Sequence, residues 1–456
     1  MSRQVEKSTG ISVRSIGLDA LIAVLEREKF CDKVVHETLE KYPLEARDRA
    51  FFVRLVEGTV EHCIQLDYIL NCFSKTKVKK MKPVIRNILR MGVYQILFMD
   101  QVPDSAACNE AVQIVKKRKF YNLSGFVNGV LRNVVRQKDS IVYPDRMLEF
   151  EKYLEVCYSM PEWIVSKCIE DYGKQAAEEM FASFLGQAGK TSVRCLHKKY
   201  SVEEIWDSLI RDGVQVKQGK FFDYALEISG YGSLKQLPAF QSGRIQVQDE
   251  SSMLVAEVAG IKEGNIILDV CAAPGGKSMH CAELLEGTGR VYAADVATAK
   301  LALIEDNKRR LGYQNIDICQ NDALQYREEW KEIADIVIAD LPCSGLGVIG
   351  KKCDIKYKTK PGDISSLASL QKEILQVVWQ YVKPGGRLVF STCTIAPEEN
   401  IQNVKWISEN LPFIAVSIED SLPNCLKGRT GMEGYIQVLP QDAQTDGFFV
   451  SCFQRL

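Results

Sequence analysis

The stretch Ile266-Ile267-Leu268-Asp269-Val270-Cys271-Ala272-Ala273-Pro274-Gly275-Gly276-Lys277 carries the most information in this chain of 456 residues. Its apolar start is typical of a buried parallel strand, and the residues from Ser278 to Leu285 are predicted to form a helix. A strand, a glycine-rich turn and a helix N-terminus leave bare backbone against which a ligand can lie. The sequence therefore predicts a nucleoside-type cofactor at residues 271–277.

Strands and helices alternate on both sides of this loop. The alternation is typical of a doubly wound, Rossmann-like α/β sheet, in which ligands bind beyond the carboxyl ends of the strands. The predicted strands are Ile266–Val270, Val291–Asp295, Ile316–Gln320, Ile336–Asp340 and Arg387–Thr392, and the predicted helices include Lys300–Leu311 and Leu367–Val382.

The loop differs from two common nucleotide-binding motifs. It ends in Gly276-Lys277-Ser278 as a phosphate-binding loop does, but Cys271 stands where that motif has its first glycine. It also lacks the Gly-x-Gly-x-x-Gly pattern of dinucleotide-binding enzymes. A nucleoside triphosphatase and a dehydrogenase are therefore disfavoured.

Two acidic residues follow neighbouring strands. Asp295 ends the second strand, where a carboxylate accepts hydrogen bonds from the ribose hydroxyls of a bound adenosine, or alternatively caps the next helix. Asp322 follows the third strand, where it could bond an adenine amino group or lie in a solvated turn. We favour the adenosine interpretation for both residues.

Two cysteines follow the fourth and fifth strands, in Asp340-Leu341-Pro342-Cys343-Ser344-Gly345 and Ser391-Thr392-Cys393-Thr394. Most cysteines are inert core residues, but helix N-termini and lysines beside a cofactor loop favour a reactive thiolate. A thiolate that adds to carbon 6 of a pyrimidine makes carbon 5 nucleophilic toward a sulfonium methyl donor. Asp340 could bond the base and stabilise that adduct, and the base must leave its stack to react.

Residues 10–138 are predicted to form a helical bundle, because apolar residues such as Leu18, Leu21 and Leu25 recur at helical spacing. Residues 1–140 carry 24 Lys and Arg against 16 Asp and Glu, a net charge of +8, whereas the rest of the chain carries −9. Two basic clusters favour RNA phosphate contacts over a merely solvated face. Their members are Lys75, Lys77, Lys79, Lys80, Lys82, Arg86, Arg90, Lys116, Lys117, Arg118 and Lys119.

The composition favours a cytoplasmic protein. The start Met1–Lys7 is polar and unlike a signal peptide, and no apolar run is long enough to span a bilayer. The 15 cysteines include no Cys-x-x-Cys pair, so neither a metal site nor a disulfide framework is predicted.

The motifs of the C-terminal half resemble those of bacterial RNA cytosine-5 methyltransferases of the Sun family, most closely the members that act on 16S ribosomal RNA. The N-terminal half is similar to the antitermination factor NusB. The Sun-family motifs are Cys271-Ala-Ala-Pro-Gly-Gly-Lys277, Asp340-x-Pro-Cys343-Ser-Gly, Ser391-Thr-Cys393, Pro397-Glu398-Glu399-Asn400 and Asp446-Gly447-Phe448-Phe449. The NusB motifs are Asn109-Glu110-Ala111-Val112 and Gly125-Phe126-Val127-Asn128-Gly129-Val130-Leu131.

The first resemblance implies S-adenosylmethionine bound by residues 271–277, Asp295, Asp322 and Asp340, without a metal. It implies Cys393 as the nucleophile and Cys343 as the cysteine that helps to release the product. In DNA cytosine-5 methyltransferases the cysteine of the Pro-Cys motif attacks instead, and spacing alone does not decide between the two.

We therefore expect a NusB-like helical RNA-binding domain over residues 1–140, a linker and small α+β module over 141–243, and a Rossmann-like methyltransferase domain over 244–456. The expected activity is methylation of carbon 5 of a cytosine in 16S ribosomal RNA, before the subunit is complete, by a monomer. The same chemistry on transfer RNA and a non-catalytic NusB-like RNA-binding factor are the alternatives.

Overall fold

The structure, a computed structural model, describes residues 12–187 and 190–456. The chain forms two compact units. The first contains the described residues up to 187 and the segment Ile349–Lys358, and the second contains residues 190–348 and 359–456. The polar start Met1–Lys7 lies outside the described residues.

The first unit is helical, as the apolar spacing predicts. Leu18 and Leu21 are fully buried in its core, and Pro83 occupies the first turn of a helix, where its missing N–H group costs nothing. The helices are α1 (Val13–Leu25), α2 (Cys31–Lys41), α3 (Ala46–Glu61), α4 (Cys63–Phe73), α5 (Pro83–Phe98), α6 (Asp104–Lys117), α7 (Ser124–Gln137), α8 (Phe150–Cys157), α9 (Glu162–Tyr172) and α10 (Lys174–Phe184).

The two basic clusters of this unit are only partly available to a partner. Arg86 is paired with Glu26, and Arg90 is buried between Glu26 and Asp67. Because Arg90 is buried and paired, the prediction that it contacts phosphate is wrong, whereas for the half-buried Arg86 it stays a prediction. Eight lysines of the clusters remain exposed, namely Lys75, Lys77, Lys79, Lys80, Lys82, Lys116, Lys117 and Lys119.

The second unit begins with a small α+β module, as predicted. Its four-stranded antiparallel sheet has the order β2-β3-β1-β4. Two of these strands, β2 and β4, are not predicted from the sequence because they are short and carry several polar residues. The elements are β1 (Thr191–Cys195), α11 (Val202–Arg211), β2 (Gln215–Gln218), β3 (Ala225–Ser229), α12 (Pro238–Gln241), β4 (Ile245–Val247) and α13 (Glu250–Val258).

The rest of the second unit is a Rossmann-like α/β layer. Its eight-stranded sheet has the order β10-β12-β9-β8-β5-β6-β7, with β11 paired to β12. The strands are β5 (Ile266–Asp269), β6 (Arg290–Asp295), β7 (Ile316–Gln320), β8 (Ala334–Asp340), β9 (Val382–Thr392), β10 (Phe413–Ala415), β11 (Tyr435–Val438) and β12 (Phe448–Arg455). The helices are α14 (Gly276–Leu284), α15 (Thr298–Leu311), α17 (Pro361–Val378), α18 (Ile401–Asn410) and α19 (Pro440–Ala443), whereas α16 (Ile355–Lys358) belongs to the first unit.

The five predicted strands are β5 to β9, and they pair in parallel. The antiparallel strands β10, β11 and β12 are not predicted, so the sheet is mixed. The helix predicted at Leu367–Val382 is wrong at both ends. Pro361 starts it earlier, and Val382 already belongs to β9, where it pairs with Ala334.

A buried ion pair joins the small module to the helix after loop 271–277. Arg194 of β1 pairs with Glu283 of α14, and both side chains are fully buried. The Nε atom of Arg194 also donates to Gln248 Oε1 at 3.0 Å. The attraction between the two opposite charges offsets the free-energy cost of removing both from water.

Arg194→Ala is expected to lower the free energy of unfolding by roughly 3–5 kcal/mol, because Glu283 then stays buried without its partner. Urea unfolding followed by tryptophan fluorescence checks this, since four of the five tryptophans (Trp206, Trp330, Trp379, Trp406) lie in the second unit. The control is Arg290→Ala, which breaks a solvent-screened pair with Asp317. Equal stability of the two variants would contradict the prediction.

The segment Ile349–Lys358, which contains α16, packs within the helical unit although it follows β8 in the chain. The Asp354 carboxylate accepts a hydrogen bond from the Cys31 amide at 2.9 Å, and Lys356 Nζ donates to the Glu61 carbonyl at 2.7 Å. Burial lowers the pKa of Lys356 to about 8. These buried polar contacts fix the segment to α2 and α3.

Within residues 12–187 and 190–456, no helix is both long and apolar enough to cross a bilayer. The same residues contain no group of three or more His, Cys, Asp or Glu side chains placed to hold a metal ion.

Candidate active site

The predicted cofactor-binding and catalytic residues lie at the carboxyl ends of five neighbouring strands, β9, β8, β5, β6 and β7. Loop 271–277 follows β5, between β8 and β6. In this loop Gly275 has φ of 100°, a left-handed conformation that glycine adopts without strain. It precedes α14, whose first backbone N–H groups lack partners within the helix.

Asp295, at the end of β6, holds loop 271–277 in place. Its Oδ2 atom accepts from the Ala273 amide at 3.2 Å, and its Oδ1 atom accepts from the Ala297 amide at 3.1 Å. The side chain is buried, and each oxygen keeps a further lone pair for a ligand. Asp295 thus lies against loop 271–277, and its carboxylate also caps the turn before α15.

Asp322 lies after β7, where its Oδ1 atom accepts from the Leu324 amide at 3.0 Å. The side chain is half-buried, and its second oxygen is available to a ligand. The Asn321 amide donates to the Asp295 carbonyl at 3.1 Å, so the two acidic positions belong to neighbouring turns.

Asp340, at the end of β8, connects the loop after β5 with β9. Its Oδ2 atom accepts from Lys277 Nζ at 2.6 Å, and its Oδ1 atom accepts from Ser391 Oγ at 2.8 Å. Burial lowers the pKa of Lys277, but the neighbouring Asp340 carboxylate and Cys393 sulfur raise it by more, so the net shift is upward. Lys277 is therefore a cation fixed by Asp340, and its charge interacts electrostatically with Cys393.

The two cysteines after β8 and β9 are in contact, with 3.3 Å between the Sγ atoms of Cys343 and Cys393. Both are half-buried. The hydrogen bond to Cys393, together with burial, raises the pKa of the Cys343 thiol well above its ordinary value. The two sulfur atoms share a hydrogen bond in which either one can be the donor.

The loop of Cys393 also meets the Asp446-Gly447-Phe448-Phe449 motif. Gly347 donates its amide to the Cys393 carbonyl at 3.1 Å, and Gly447 donates its amide to the Gly347 carbonyl at 2.8 Å. A Cβ atom on Gly347 would collide with the Gly447 carbonyl. Glycine is therefore required where these backbones cross.

The structure adds one site residue that the sequence reasoning did not select. Asp269, at the end of β5, accepts from Ser278 Oγ at 2.6 Å, and its Oδ1 atom is buried without a hydrogen-bond partner in the described part of the chain. Burial raises the pKa of this carboxyl to about 7. The sequence signal that could have identified Asp269 is its position at the end of a strand that leads into a glycine-rich loop.

Cys271, by contrast, does not take part in the thiol chemistry of Cys343 and Cys393. Its thiol packs beside the apolar core, and burial raises its pKa well above its ordinary value. A buried, protonated thiol is inert, so only the backbone of this residue remains available to a ligand.

Known proteins identify the family of the chain. Residues 257–454 match the family described as 16S rRNA methyltransferase RsmB/F, and residues 12–136 match the NusB family. The probable ribosomal RNA small subunit methyltransferase B of Bacillus subtilis (strain 168) is 36% identical over 97% of this chain and 99% of its own. This chain belongs to the RsmB/F family. A Synechocystis protein of the same name is 32% identical, over 98% and 100% of the two chains.

Solved structures agree with this assignment. The crystal structure of PH0851 has a TM-score of 0.81 and 27% sequence identity, and covers 98% of this chain and all of that one. A methyltransferase homologue from Pyrococcus horikoshii has a TM-score of 0.56 and 25% identity, over 66% of this chain and 98% of its own. The predicted fold class is thus confirmed: a helical NusB-like part is followed by a Rossmann-like methyltransferase.

Proposed function

We propose that this RsmB/F protein transfers a methyl group from S-adenosylmethionine to carbon 5 of a cytosine in 16S ribosomal RNA, through a covalent bond between Cys393 and carbon 6. The observation that carries the proposal is the 3.3 Å contact between the sulfur atoms of Cys393 and Cys343. The RsmB/F relatives, named ribosomal RNA small subunit methyltransferase B, support the choice of RNA.

The residues around loop 271–277 fit S-adenosylmethionine. This donor carries a sulfonium, an amino group and a ribose diol, which suit carboxylate acceptors. Asp269, Asp295 and Asp340 surround the loop, and the Oδ1 atom of Asp269 is buried with no partner in the described part of the chain. A Cβ atom on Gly276 would have nothing closer than 3.9 Å, so its face of the loop is open to a ligand.

When bound, S-adenosylmethionine supplies an electrophilic methyl group. Residues 271–277 and Asp295 are proposed to hold it, with Asp295 at the ribose and Asp322 at the adenine. Asp340 is proposed to contact both the donor and the edge of the cytosine, because it lies between the loop and the two cysteines.

Cys393 is proposed as the nucleophile, on two grounds. The Lys277 ammonium interacts electrostatically with Cys393, and a nearby cation favours a thiolate. The raised pKa of Cys343 favours its thiol form, so Cys343 is proposed to donate to the Cys393 sulfur, 3.3 Å away. In the step itself, the Cys393 sulfur bonds to carbon 6 of the cytosine, and the electron pair of the 5,6 double bond moves toward carbon 5.

Cys343 is proposed to act after methyl transfer. The proton on carbon 5 is then lost to water, its electron pair forms the 5,6 double bond again, and the bond between Cys393 and carbon 6 breaks with its electron pair returning to the Cys393 sulfur. Cys343 contacts the leaving sulfur directly, so it is placed to assist this release. The target base must leave its stack to reach either cysteine.

The helical unit is proposed to bind RNA through its eight exposed lysines, since phosphate contacts depend on accessible cations. We further propose that the protein is a cytoplasmic monomer that needs no metal, and that it acts before the small subunit is complete. A non-catalytic binding factor is disfavoured because both cysteine loops and their polar contacts are intact.

The test is incubation with methyl-tritiated S-adenosylmethionine and, separately, unmodified 16S ribosomal RNA or transfer RNA. Label is expected in 16S ribosomal RNA as 5-methylcytosine after nuclease digestion and chromatography. Label confined to transfer RNA would keep the chemistry and change the substrate. Label in neither RNA would reject the proposal in favour of a binding factor.

Asp295→Ala is expected to weaken S-adenosylmethionine binding by roughly 10- to 100-fold, because it removes a charged acceptor worth about 1.5–3 kcal/mol. It also releases the Ala273 amide, which that carboxylate holds. Isothermal titration calorimetry measures the affinity directly. Asp317→Ala, on the neighbouring β7 but outside the site, serves as control, and equal affinities for both variants would contradict the ribose role.

A further inference from the structure

The residues on both sides of Cys343 are held by two buried side chains. Glu399 accepts the Ser344 amide at 2.9 Å through Oε1 and the Ser344 hydroxyl through Oε2. Gln371, on α17, donates to the Pro342 carbonyl at 2.8 Å and approaches Glu399 Oε1 at 3.3 Å. Residues 342 and 344 are therefore both anchored, and Cys343 lies between them.

The residues on both sides of Cys393 are held by the residue after Glu399. Asn400 accepts the Thr392 hydroxyl and donates to the Thr394 carbonyl at 3.0 Å. The hydroxyls of Ser344 and Thr394 also contact each other at 2.7 Å. The adjacent residues Glu399 and Asn400 thus hold one cysteine loop each, and a hydroxyl pair joins the two loops.

The polar side chains that hold the two cysteine loops are buried, so contact with solvent does not explain why they are polar. Glu399, Asn400, Gln371 and Asn403 are all buried, with exposed fractions of at most 1%. Asn403 donates to Gln371 Oε1 at 2.6 Å, which orients the amide that faces Pro342. Burying a carboxylate is costly, and apolar side chains would fill the same space more cheaply. The free-energy cost of burying Glu399 is explained if the side chain is needed to fix the geometry of the two cysteine loops.

We propose that Glu399 is a positioning residue that fixes Cys343 against Cys393 and thereby sets the rate at which the methylated RNA is released. The inference rests on the proposed function, because it assumes that Cys343 assists release. Glu399 makes no hydrogen bond to either sulfur; it holds the loop through Ser344, and its charge also contributes to the raised pKa of Cys343. A displacement of about 1 Å in a reacting group lowers the rate roughly 100-fold, so a small shift of Cys343 is expected to slow product release measurably.

The test compares Glu399→Gln and Ser344→Ala with the unchanged protein. The Gln variant keeps the shape but presents an amide donor to the Ser344 hydroxyl, and the Ala variant removes that hydroxyl altogether. Glu409→Gln is the control, since it makes the same change on the exposed surface of α18. The measurements are kcat on 16S ribosomal RNA, the lifetime of the RNA–protein adduct on denaturing gels, and the affinity for S-adenosylmethionine.

Glu399→Gln is expected to lower kcat by roughly 10- to 100-fold and to lengthen the adduct lifetime in proportion, with unchanged donor affinity. Ser344→Ala is also expected to lower kcat and to lengthen the adduct lifetime. If Glu399→Gln does not fold, Ser344→Ala alone tests the positioning role. Lower kcat without a longer-lived adduct would overturn the positioning role, because a merely structural defect does not slow release selectively. An adduct in Cys343→Ala with none in the Glu399 and Ser344 variants would overturn this inference alone. No adduct even in Cys343→Ala would instead reject the proposed role of Cys343 in release.

Discussion

Replacing Cys393 by alanine is expected to abolish methyl transfer and to leave no covalent RNA–protein adduct. The sulfur that we propose to bond to carbon 6 is then absent, so carbon 5 of the cytosine should stay a poor nucleophile. Removal of a covalent nucleophile lowers rates by roughly a thousandfold or more, which exceeds every other effect expected here. Tritium transfer to 16S ribosomal RNA gives the rate, and denaturing gels reveal the adduct.

The matched control is Cys425→Ala, which removes an exposed thiol of the same unit and should keep full activity. Donor affinity of the Cys393 variant should be unchanged, because its side chain is not among the residues that hold loop 271–277. Full activity of Cys393→Ala would reject the mechanism. If Cys343→Ala were inactive and adduct-free instead, the two cysteines would have exchanged roles, as in the DNA cytosine-5 methyltransferases.

Replacing Cys343 by alanine is expected to stop turnover after one methyl group per protein molecule and to trap the RNA on Cys393. Bond formation at carbon 6 needs only Cys393 and its neighbouring cation, Lys277, both of which remain. Release loses the group that contacts the leaving sulfur at 3.3 Å, so the adduct accumulates. We expect a fall in steady-state rate of roughly 100-fold or more, the size typical for loss of acid–base assistance.

The readout for this variant is a protein band shifted by the mass of a short RNA fragment, stable to denaturant and carrying tritium. The double variant lacking both cysteines is the control and should show no such band. A Cys343 variant that turns over at the normal rate, or that forms no band, would remove Cys343 from the release step.

The sequence is informative where its signals are local. The strands β5 to β9 are predictable because each is a short apolar run that ends in polar residues. Their parallel order also places the loop, Asp295, Asp340 and both cysteines at one edge of the sheet. The contact between the sulfur atoms follows from the neighbouring positions of β8 and β9, in which Asp340 lies opposite Ser391.

Long-range contacts are not predictable in this way. Glu399 stands in a motif that matches the family, but its partner Ser344 is 55 residues away in the chain, and no pattern of spacing links them. Arg86 and Arg90 resemble surface cations in the sequence, yet both form ion pairs with carboxylates distant in the chain, and Arg90 is buried. The strands β10 and β11 are short and add to an edge, so their pairing with β12 decides their conformation.

The position of Ile349–Lys358 within the helical unit has a consequence for how the protein is made. Residues 12–187 leave the ribosome first, but the segment that fills their core beside Cys31 and Glu61 is about 160 residues further along. At roughly 5–20 residues per second, the N-terminal helices wait about 10 to 30 s for it. The helical unit therefore reaches its final packing only after β8 and the Cys343 loop have been synthesised, so the N-terminal half cannot mature ahead of the catalytic one.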